Sequence, residues 1–342
     1  MTTWAVVLAG GVGSRFWPVS TPAKPKQLLP LVSGQPLLAD ALQRLAAVAP
    51  PDRTLVLTNA GLADAVIRVG ASLPPENVLA EPRPAGTAAA LAWAALEIRR
   101  RGGDEDVMLC VHADWAIGDS DAFTKALSAA AHVADGARAL VTVGIVPLRD
   151  DTGFGYVVPG DEHRSGARRV ARFVEKPDRA AAISLRTKGA LWNSGIFAWR
   201  VNVFLSELAA HTPEIAPALE LGSAADFFAA VQPVSVDVGL LERSSNVLVL
   251  AGDFGWDDVG TWGALLRSRG PDEAGNVTHG EVHSLDASGN VAWSDGPVLV
   301  LYGVENLVVV STGGTTLVTT VDRSGDLKRL VESLPSGLRE GS

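Results

Sequence analysis

Leu8-Ala9-Gly10-Gly11-Val12-Gly13-Ser14-Arg15-Phe16-Trp17-Pro18-Val19-Ser20, closed a few residues later by Pro25-Lys26-Gln27, is the stretch that decides the fold. The apolar run from Trp4 to Leu8 in front of it reads as a buried strand. Gly10, Gly11 and Gly13 then let the backbone turn sharply and present its N–H groups with no side chain in the way. Successive free N–H groups make an anion-binding concavity, and Arg15 and Lys26 add full positive charge beside it. The pattern is that of a loop built to hold a polyphosphate. A dinucleotide-binding fingerprint needs a glycine where Phe16 stands, and a P-loop needs a Gly-Lys-Ser/Thr run that does not occur here. The bland alternative is an ordinary tight strand-to-helix turn.

Outward from the loop, Leu37 to Val48 has helical apolar spacing, Thr54 to Leu57 reads as a strand, and Ala60 to Val69 as a helix. Glu81-Pro82-Arg83-Pro84-Ala85-Gly86-Thr87 leads into the alanine-rich helix Ala88 to Arg100, which Thr87 is placed to cap. Val107 to Val111 is a strand, Asp121 to Ala134 a helix and Ala139 to Val143 a strand. This alternation predicts an α/β fold with a Rossmann-like, mixed, mostly parallel sheet covered on both faces. Ligands of such sheets sit at the carboxyl ends of the strands. There the sequence has His112-Ala113-Asp114-Trp115, and Asp114 beside a phosphate loop is placed to hold Mg²⁺, which prefers carboxylate and phosphate oxygens. Taken alone, the same aspartate could equally be a loop cap.

The chain has 342 residues, a formal net charge of −9 and a hydrophobic content of 47%. That length suits two domains, or one large domain with an appendage. The acidic balance argues against nucleic acid as a partner, yet a cleft that concentrates Arg and Lys can still bind phosphorylated substrates. The single cysteine, Cys110, falls in an apolar strand and reads as an inert buried thiol. With no leader ahead of the first strand and no apolar run of membrane-spanning length, the expectation is a cytoplasmic protein with no membrane partner. Beyond Arg267 the helical pattern gives way to short strands punctuated by Gly, Asn and Asp from Asn276 to Val310, which predicts a small β-rich, β-helix-like appendage. The expected division is therefore residues 1–268 and residues 269–342. Val321 to Leu334 reads as a terminal amphipathic helix whose stripe, Leu327, Leu330, Val331 and Leu334, must dock on its own chain or on a second subunit. The second choice gives a homodimer through the C-terminal region.

The loop and its closing Pro25-Lys26-Gln27 closely resemble the mannose-1-phosphate guanylyltransferases, members of the nucleotidyltransferase fold. The resemblance implies GTP and mannose 1-phosphate as substrates, joined with release of pyrophosphate. It implies that Leu8, Ala9, Gly10, Gly11, Gly13 and Ser14 hold the nucleotide, with Gly86 and Thr87 near the base, and that Arg15 and Lys26 contact its phosphates as catalytic residues. Three further segments match the family's sugar-phosphate motifs in order: Asp151-Thr152-Gly153-Phe154-Gly155-Tyr156, Phe173-Val174-Glu175-Lys176-Pro177 and Leu191-Trp192-Asn193-Ser194-Gly195. Gly155, Glu175, Lys176 and Asn193 are the residues so implicated. Ser235-Val236-Asp237 resembles a further family segment, Ser-x-Asp. In Trp256-Asp257-Asp258-Val259-Gly260, Asp258 aligns with the second metal ligand and Asp257 with a variable position. Mg²⁺ is thus the implied cofactor, held by Asp114 and Asp258.

The chain departs from the family at Trp115, where histidine is usual, and at Ala85-Gly86, where Arg-Asn is usual. The second departure opens the alternative of a related sugar-1-phosphate nucleotidyltransferase with another base or sugar. A non-catalytic nucleotide-sugar-binding relative is the rival from a different class, though it would be expected to have lost a metal carboxylate or a basic loop residue. The isomerase domain fused to longer family members is expected to be missing.

Overall fold

In a computed structural model, residues 1–11 and 13–339 are described; Val12 of the glycine loop and residues 340–342 lie outside them. The strands are β1 (Thr3–Leu8), β2 (Thr54–Asn59), β3 (Val78–Glu81), β4 (Val107–His112), β5 (Leu140–Ile145), β6 (Tyr156–Glu162), β7 (Arg168–Val174), β8 (Leu191–Arg200), β9 (Val247–Gly252), β10 (Val277–His279), β11 (Val282–Leu285), β12 (Val291–Ser294), β13 (Leu299–Tyr302), β14 (Leu307–Thr312) and β15 (Thr315–Thr320). The helices that matter below are α1 (Leu37–Leu45), α2 (Ala63–Val69), α3 (Gly86–Arg101) and α4 (Ser120–Ala137). The chain forms two compact units, each assembled from separated segments. One comprises Met1–Ala9, Gln43–His112 and Asp119–Trp256; the other comprises Gly10–Leu42, Ala113–Gly118 and Asp257–Ser342.

The first unit carries a nine-stranded sheet of order β3-β2-β1-β4-β8-β5-β9-β7-β6. β8 runs antiparallel to β4, β5 and β6, and β7 runs antiparallel to β6 and β9, so these two oppose the rest. The half β3-β2-β1-β4 is parallel throughout, as the continuous apolar strands predict. The alanines explain why α3 lies so close to this sheet. Ala88, Ala89, Ala92, Ala94 and Ala95 are all fully buried, and small side chains let a helix backbone approach its neighbours on several sides at once. Cys110 is buried and free in this core, and burial pushes its thiol well above the usual range.

The second unit is the β-rich one. β10, β12 and β14 pair in parallel, β15 closes their sheet antiparallel, and β11 pairs in parallel with β13. Successive coils are stitched by buried asparagines: Asn290 Nδ2 donates to Asn276 Oδ1 at 3.0 Å, and Leu307 N–H donates to Asn290 Oδ1 at 2.9 Å. This is the β-helix-like appendage, and its core includes residues from the N-terminus. Phe16 and Trp17 pack in one cluster with Trp262, Trp293 and Leu327, the Phe16 and Trp262 rings 5.1 Å apart.

The C-terminal stripe docks on its own unit. The helix spans only Leu327–Ser333, after a 3₁₀ segment at Asp322–Asp326. Leu327 is buried and Val331 and Leu334 pack partly buried on the same cluster, whereas Leu330 is 39% exposed. Four apolar positions at helical spacing predict one continuous stripe; Leu330 stands at its edge, about 100° round the helix from Val331, and reaches solvent.

Candidate active site

In the β-rich unit, the glycine loop closes over one lysine. Gly13 has φ 65°, and a Cβ there would stand 2.3 Å from the Cβ of Lys26, so only glycine lets the chain pass. Ser14 then opens a 3₁₀ turn, Ser14–Phe16, that buries Phe16 and leaves Arg15 exposed. Lys26 is 5% exposed. Its ammonium donates to Asp114 Oδ2 at 3.0 Å and to the Asp258 carbonyl oxygen at 2.6 Å. Burial pushes the Asp258 carboxyl up; Lys26 pulls it down, the neighbouring charges of Asp257 and Asp114 push it up, and Arg15 pulls it down. Lys26, Asp114 and Asp258 are therefore brought together, with Arg15 near enough to act on the same charge. Gly10 and Gly11 lie exposed beside this turn, and a Cβ on Gly11 would meet nothing within 4 Å.

Asp257 has a different job from its neighbour. It is 7% exposed, accepts from Val259 N–H at 2.9 Å and pairs with Arg267 Nε at 2.8 Å. Val259 is fully buried at φ 46°, a strained backbone for a β-branched residue, and Asp257 holds it there. A position that family alignment makes variable is thus a fastening beneath Asp258. Among the described residues no group of three or more His, Cys, Asp or Glu side chains could hold a metal ion. Two carboxylates with oxygen donors alone fit Mg²⁺, which takes one or two protein carboxylates and completes its shell with water and substrate phosphate.

In the other unit, the three sugar-motif segments meet. A Cβ on Gly155 would lie 2.6 Å from Glu175 Oε2 and 3.6 Å from Asn193 Cβ, so the glycine makes room for both. Asn193 N–H donates to the Gly155 carbonyl at 2.8 Å, and its Nδ2 donates to Asp237 Oδ1 at 2.6 Å. Burial pushes the Asp237 carboxyl up, Asn193 and His112 hold it down, and Glu175 pushes it up. Lys176 sits at φ 42° with its ammonium 2.6 Å from Glu175 Oε1, and both side chains are well exposed. The Asp151-to-Tyr156 segment is tied down: the Arg149 guanidinium lies 4.9 Å from the Trp192 ring centre and 5.5 Å from that of Phe154. The Tyr156 hydroxyl also donates to the Asp151 carbonyl at 2.9 Å.

The same unit holds the carboxyl ends of β1, β2 and β3. Leu8 ends β1, and Ala9 N–H donates to the Leu57 carbonyl at 2.8 Å. Gly86 begins α3 at φ 80°, where a Cβ would stand 2.3 Å from the Val234 carbonyl oxygen. An asparagine, usual in the family, cannot occupy that position here. Thr87 does not cap the helix: the N-cap is Ala85, and the Thr87 hydroxyl instead accepts from Val236 N–H at 2.9 Å. The capping pattern suits an isolated helix, but a distant segment claims the oxygen. Glu81 stands at the end of β3, in register with Asn59 at the end of β2, and opens the segment that leads to Gly86 and Thr87. Its side chain makes no hydrogen bond or ion pair among the described residues, and burial pushes its carboxyl up to about 7. The signal in the sequence is a lone acid between an apolar strand and a proline-rich turn.

No helix among the described residues is long and apolar enough to cross a membrane. Residues 4–273 match the family described as Nucleotidyl transferase, and residues 280–334 match the MannoseP isomerase/GMP-like beta-helix domain. The chain is 37% identical over 348 residues to the Xanthan biosynthesis protein XanB of Xanthomonas campestris pv. campestris, covering 98% of this chain and 73% of that protein. It is 36% identical over 351 residues to a mannose-1-phosphate guanylyltransferase of Klebsiella pneumoniae, covering 98% of this chain and 74% of that one. A solved structure described as a mannose-1-phosphate geranyltransferase from Thermus thermophilus superposes with a TM-score of 0.90 at 34% identity, over 97% of this chain and 99% of that one. With the glycine loop, Asp114, Asp258 and the β-coil all present, the chain belongs to the nucleotidyl transferase family and, within it, to the mannose-1-phosphate guanylyltransferases.

Proposed function

We propose that the protein transfers GMP from GTP to mannose 1-phosphate, giving GDP-mannose and pyrophosphate. A phosphate oxygen of the sugar phosphate attacks the α-phosphorus in line as the bond to the β-phosphate oxygen breaks, with no covalent enzyme intermediate. No side chain acts as a nucleophile, so the residues work by positioning and by neutralising charge. The observation that carries this reading is the buried Lys26 ammonium tied to Asp114 and to the Asp258 backbone. An ammonium has three N–H donors, and these bonds use two. The third can meet a phosphate oxygen while the lysine stays fixed. Lys26 and Arg15 stabilise charge on the departing pyrophosphate. Lys176 neutralises the attacking phosphate, and Glu175 and Asn193 grip the sugar hydroxyls beside Gly155.

Asp114 and Asp258 would hold Mg²⁺, which when bound supplies charge neutralisation and polarisation at the phosphates. Burial pushes the Asp258 carboxyl up and the charges of Asp257 and Asp114 add to it, and a cation there would offset both. For the base, the supporting residue is Glu81. An unpaired carboxylate matches the two adjacent donors, N1–H and the 2-amino group, that guanine alone among the common bases presents. The test is a panel of nucleoside triphosphates against several sugar 1-phosphates, scored by pyrophosphate release. GTP with mannose 1-phosphate should give the highest kcat/KM. A preference for another base with comparable turnover would overturn the assignment.

A further inference from the structure

An asparagine amide has nearly the same shape in its two flips, so a sugar site built on one must fix which end faces the ligand. Asn193 is fixed on two sides. Its backbone N–H is spent on the Gly155 carbonyl, and its Nδ2 lies 2.6 Å from Asp237 Oδ1. A carboxylate only accepts, so the Asp237 contact forces the NH₂ group toward Asp237. The amide oxygen then meets the N–H of Gly195, at 3.3 Å. Asp237 is itself held. It opens a π-helical turn, Asp237–Leu241, its carbonyl accepts from Glu242 N–H at 2.9 Å, and Val236 before it is bonded to the Thr87 hydroxyl.

We propose that Asp237 is a positioning residue for the sugar phosphate: its carboxylate locks the Asn193 amide in one flip, so that a fixed donor and a fixed acceptor face the sugar hydroxyls. The proposal rests on Asn193 being a sugar-site residue. Asp237→Asn keeps the shape but weakens the lock, because an amide pairs with either flip of its neighbour and only the Gly195 N–H bond is left to choose between them.

A double-mutant cycle separates this from a direct or purely structural role. Asp237→Asn should raise the KM for mannose 1-phosphate by about tenfold, the size of a lost charge-assisted hydrogen bond, with the KM for GTP unchanged. In an Asn193→Ala background the same substitution should add nothing. Fully additive losses would mean that Asp237 acts on the sugar by itself, and would overturn the proposal. So would a lowered melting temperature with both KM values unchanged, which marks a structural role; Asp237→Ser gives a second reading should the amide variant fold poorly. If Asn193→Ala alone left the sugar-phosphate KM at its wild-type value, the sugar-site reading itself would fall, a result distinct from either of the others.

Discussion

Glu81 allows the base assignment to be tested by pH alone. Its carboxyl is pushed up to about 7 by burial, with no partner to hold the charge. Only the ionised form accepts both guanine donors, so GTP affinity should fall as pH drops through 7. At pH 6 about a tenth of the free enzyme carries the ionised form, and apparent affinity falls about tenfold from its plateau, because binding draws on the competent fraction alone. The GTP γ-phosphate titrates in the same range, but it does so equally for every variant. Glu81→Gln should therefore flatten the profile by the Glu81 contribution and, at pH 8, raise the GTP KM about tenfold or more. Its amide also presents one donor and one acceptor, the complement of adenine, so discrimination against ATP should narrow.

Stability should move the opposite way. A carboxyl raised from 4.5 to about 7 on folding contributes stability that is fully present below the unfolded value and is lost as pH rises through 7. The full shift corresponds to about 3 kcal/mol, and solvent reaching the carboxylate reduces this to about 1–2 kcal/mol. Glu81→Gln should accordingly melt a few degrees higher than wild type at pH 8 and match it near pH 4.5. Steady-state pyrophosphate release at saturating mannose 1-phosphate and constant ionic strength, with parallel thermal melts, gives both readouts. A glutamine variant that kept the wild-type GTP KM and pH profile would refute the reasoning, whatever its melting temperature.

Asp114→Asn and Asp258→Asn should each lower kcat by about 10²–10⁴ under saturating Mg²⁺, and Asp114→Asn should also lower the melting temperature because it removes the charge that faces the buried Lys26 ammonium. Asp257→Asn should lower the melting temperature by the loss of about 1.5–3 kcal/mol of charge-assisted bonding to Arg267 and Val259, and differential scanning calorimetry would detect it. Lys176→Ala should raise the sugar-phosphate KM tenfold to a hundredfold (about 1.5–3 kcal/mol) while Arg15→Ala chiefly lowers kcat; steady-state kinetics with each substrate varied would contradict this if Lys176→Ala weakened GTP alone. Gly13→Ala should abolish turnover, since its methyl group would overlap the Lys26 stem, and wild-type activity in that variant would show that the loop closes differently.

Period and spacing made much of this legible. The parallel half of the sheet follows from continuous apolar strands between helices, and the β-coil follows from short strands punctuated by Gly and Asn. What stayed hidden are decisions taken by residues far apart in the chain. Thr87 has the sequence of a cap, but its hydroxyl is taken by Val236, 149 residues away. Asp257 and Asp258 are chemically identical in the sequence, and only the left-handed backbone of Val259 separates a fastening from a cluster carboxylate. Leu330 keeps the helical spacing of its neighbours and still faces outward, because it stands at the edge of the stripe, about 100° round the helix from Val331. Glu81 stands out only in the fold, because what distinguishes it, the want of a partner, is not a property that a sequence displays.

The loop at the start of the chain and the coil at its end share one core: Phe16 and Trp17 lie with Trp262, Trp293 and Leu327, and Trp17 Nε1 donates to the Leu338 carbonyl at 3.1 Å. On the ribosome those partners emerge long after the loop. Arg15 and Lys26 are made far ahead of these partners, so the cluster against which their segment packs is incomplete until Leu327 has left the exit tunnel. The nascent chain therefore carries its glycine loop unsupported until that coil is made, and a transcript truncated within the coil yields a protein lacking the support of the loop as well as the coil. Cutting the chain before Asp322 should for this reason disable a loop about three hundred residues away in sequence, and protease protection of ribosome-bound chains should appear at Trp17 only after Leu327–Ser333 has been released.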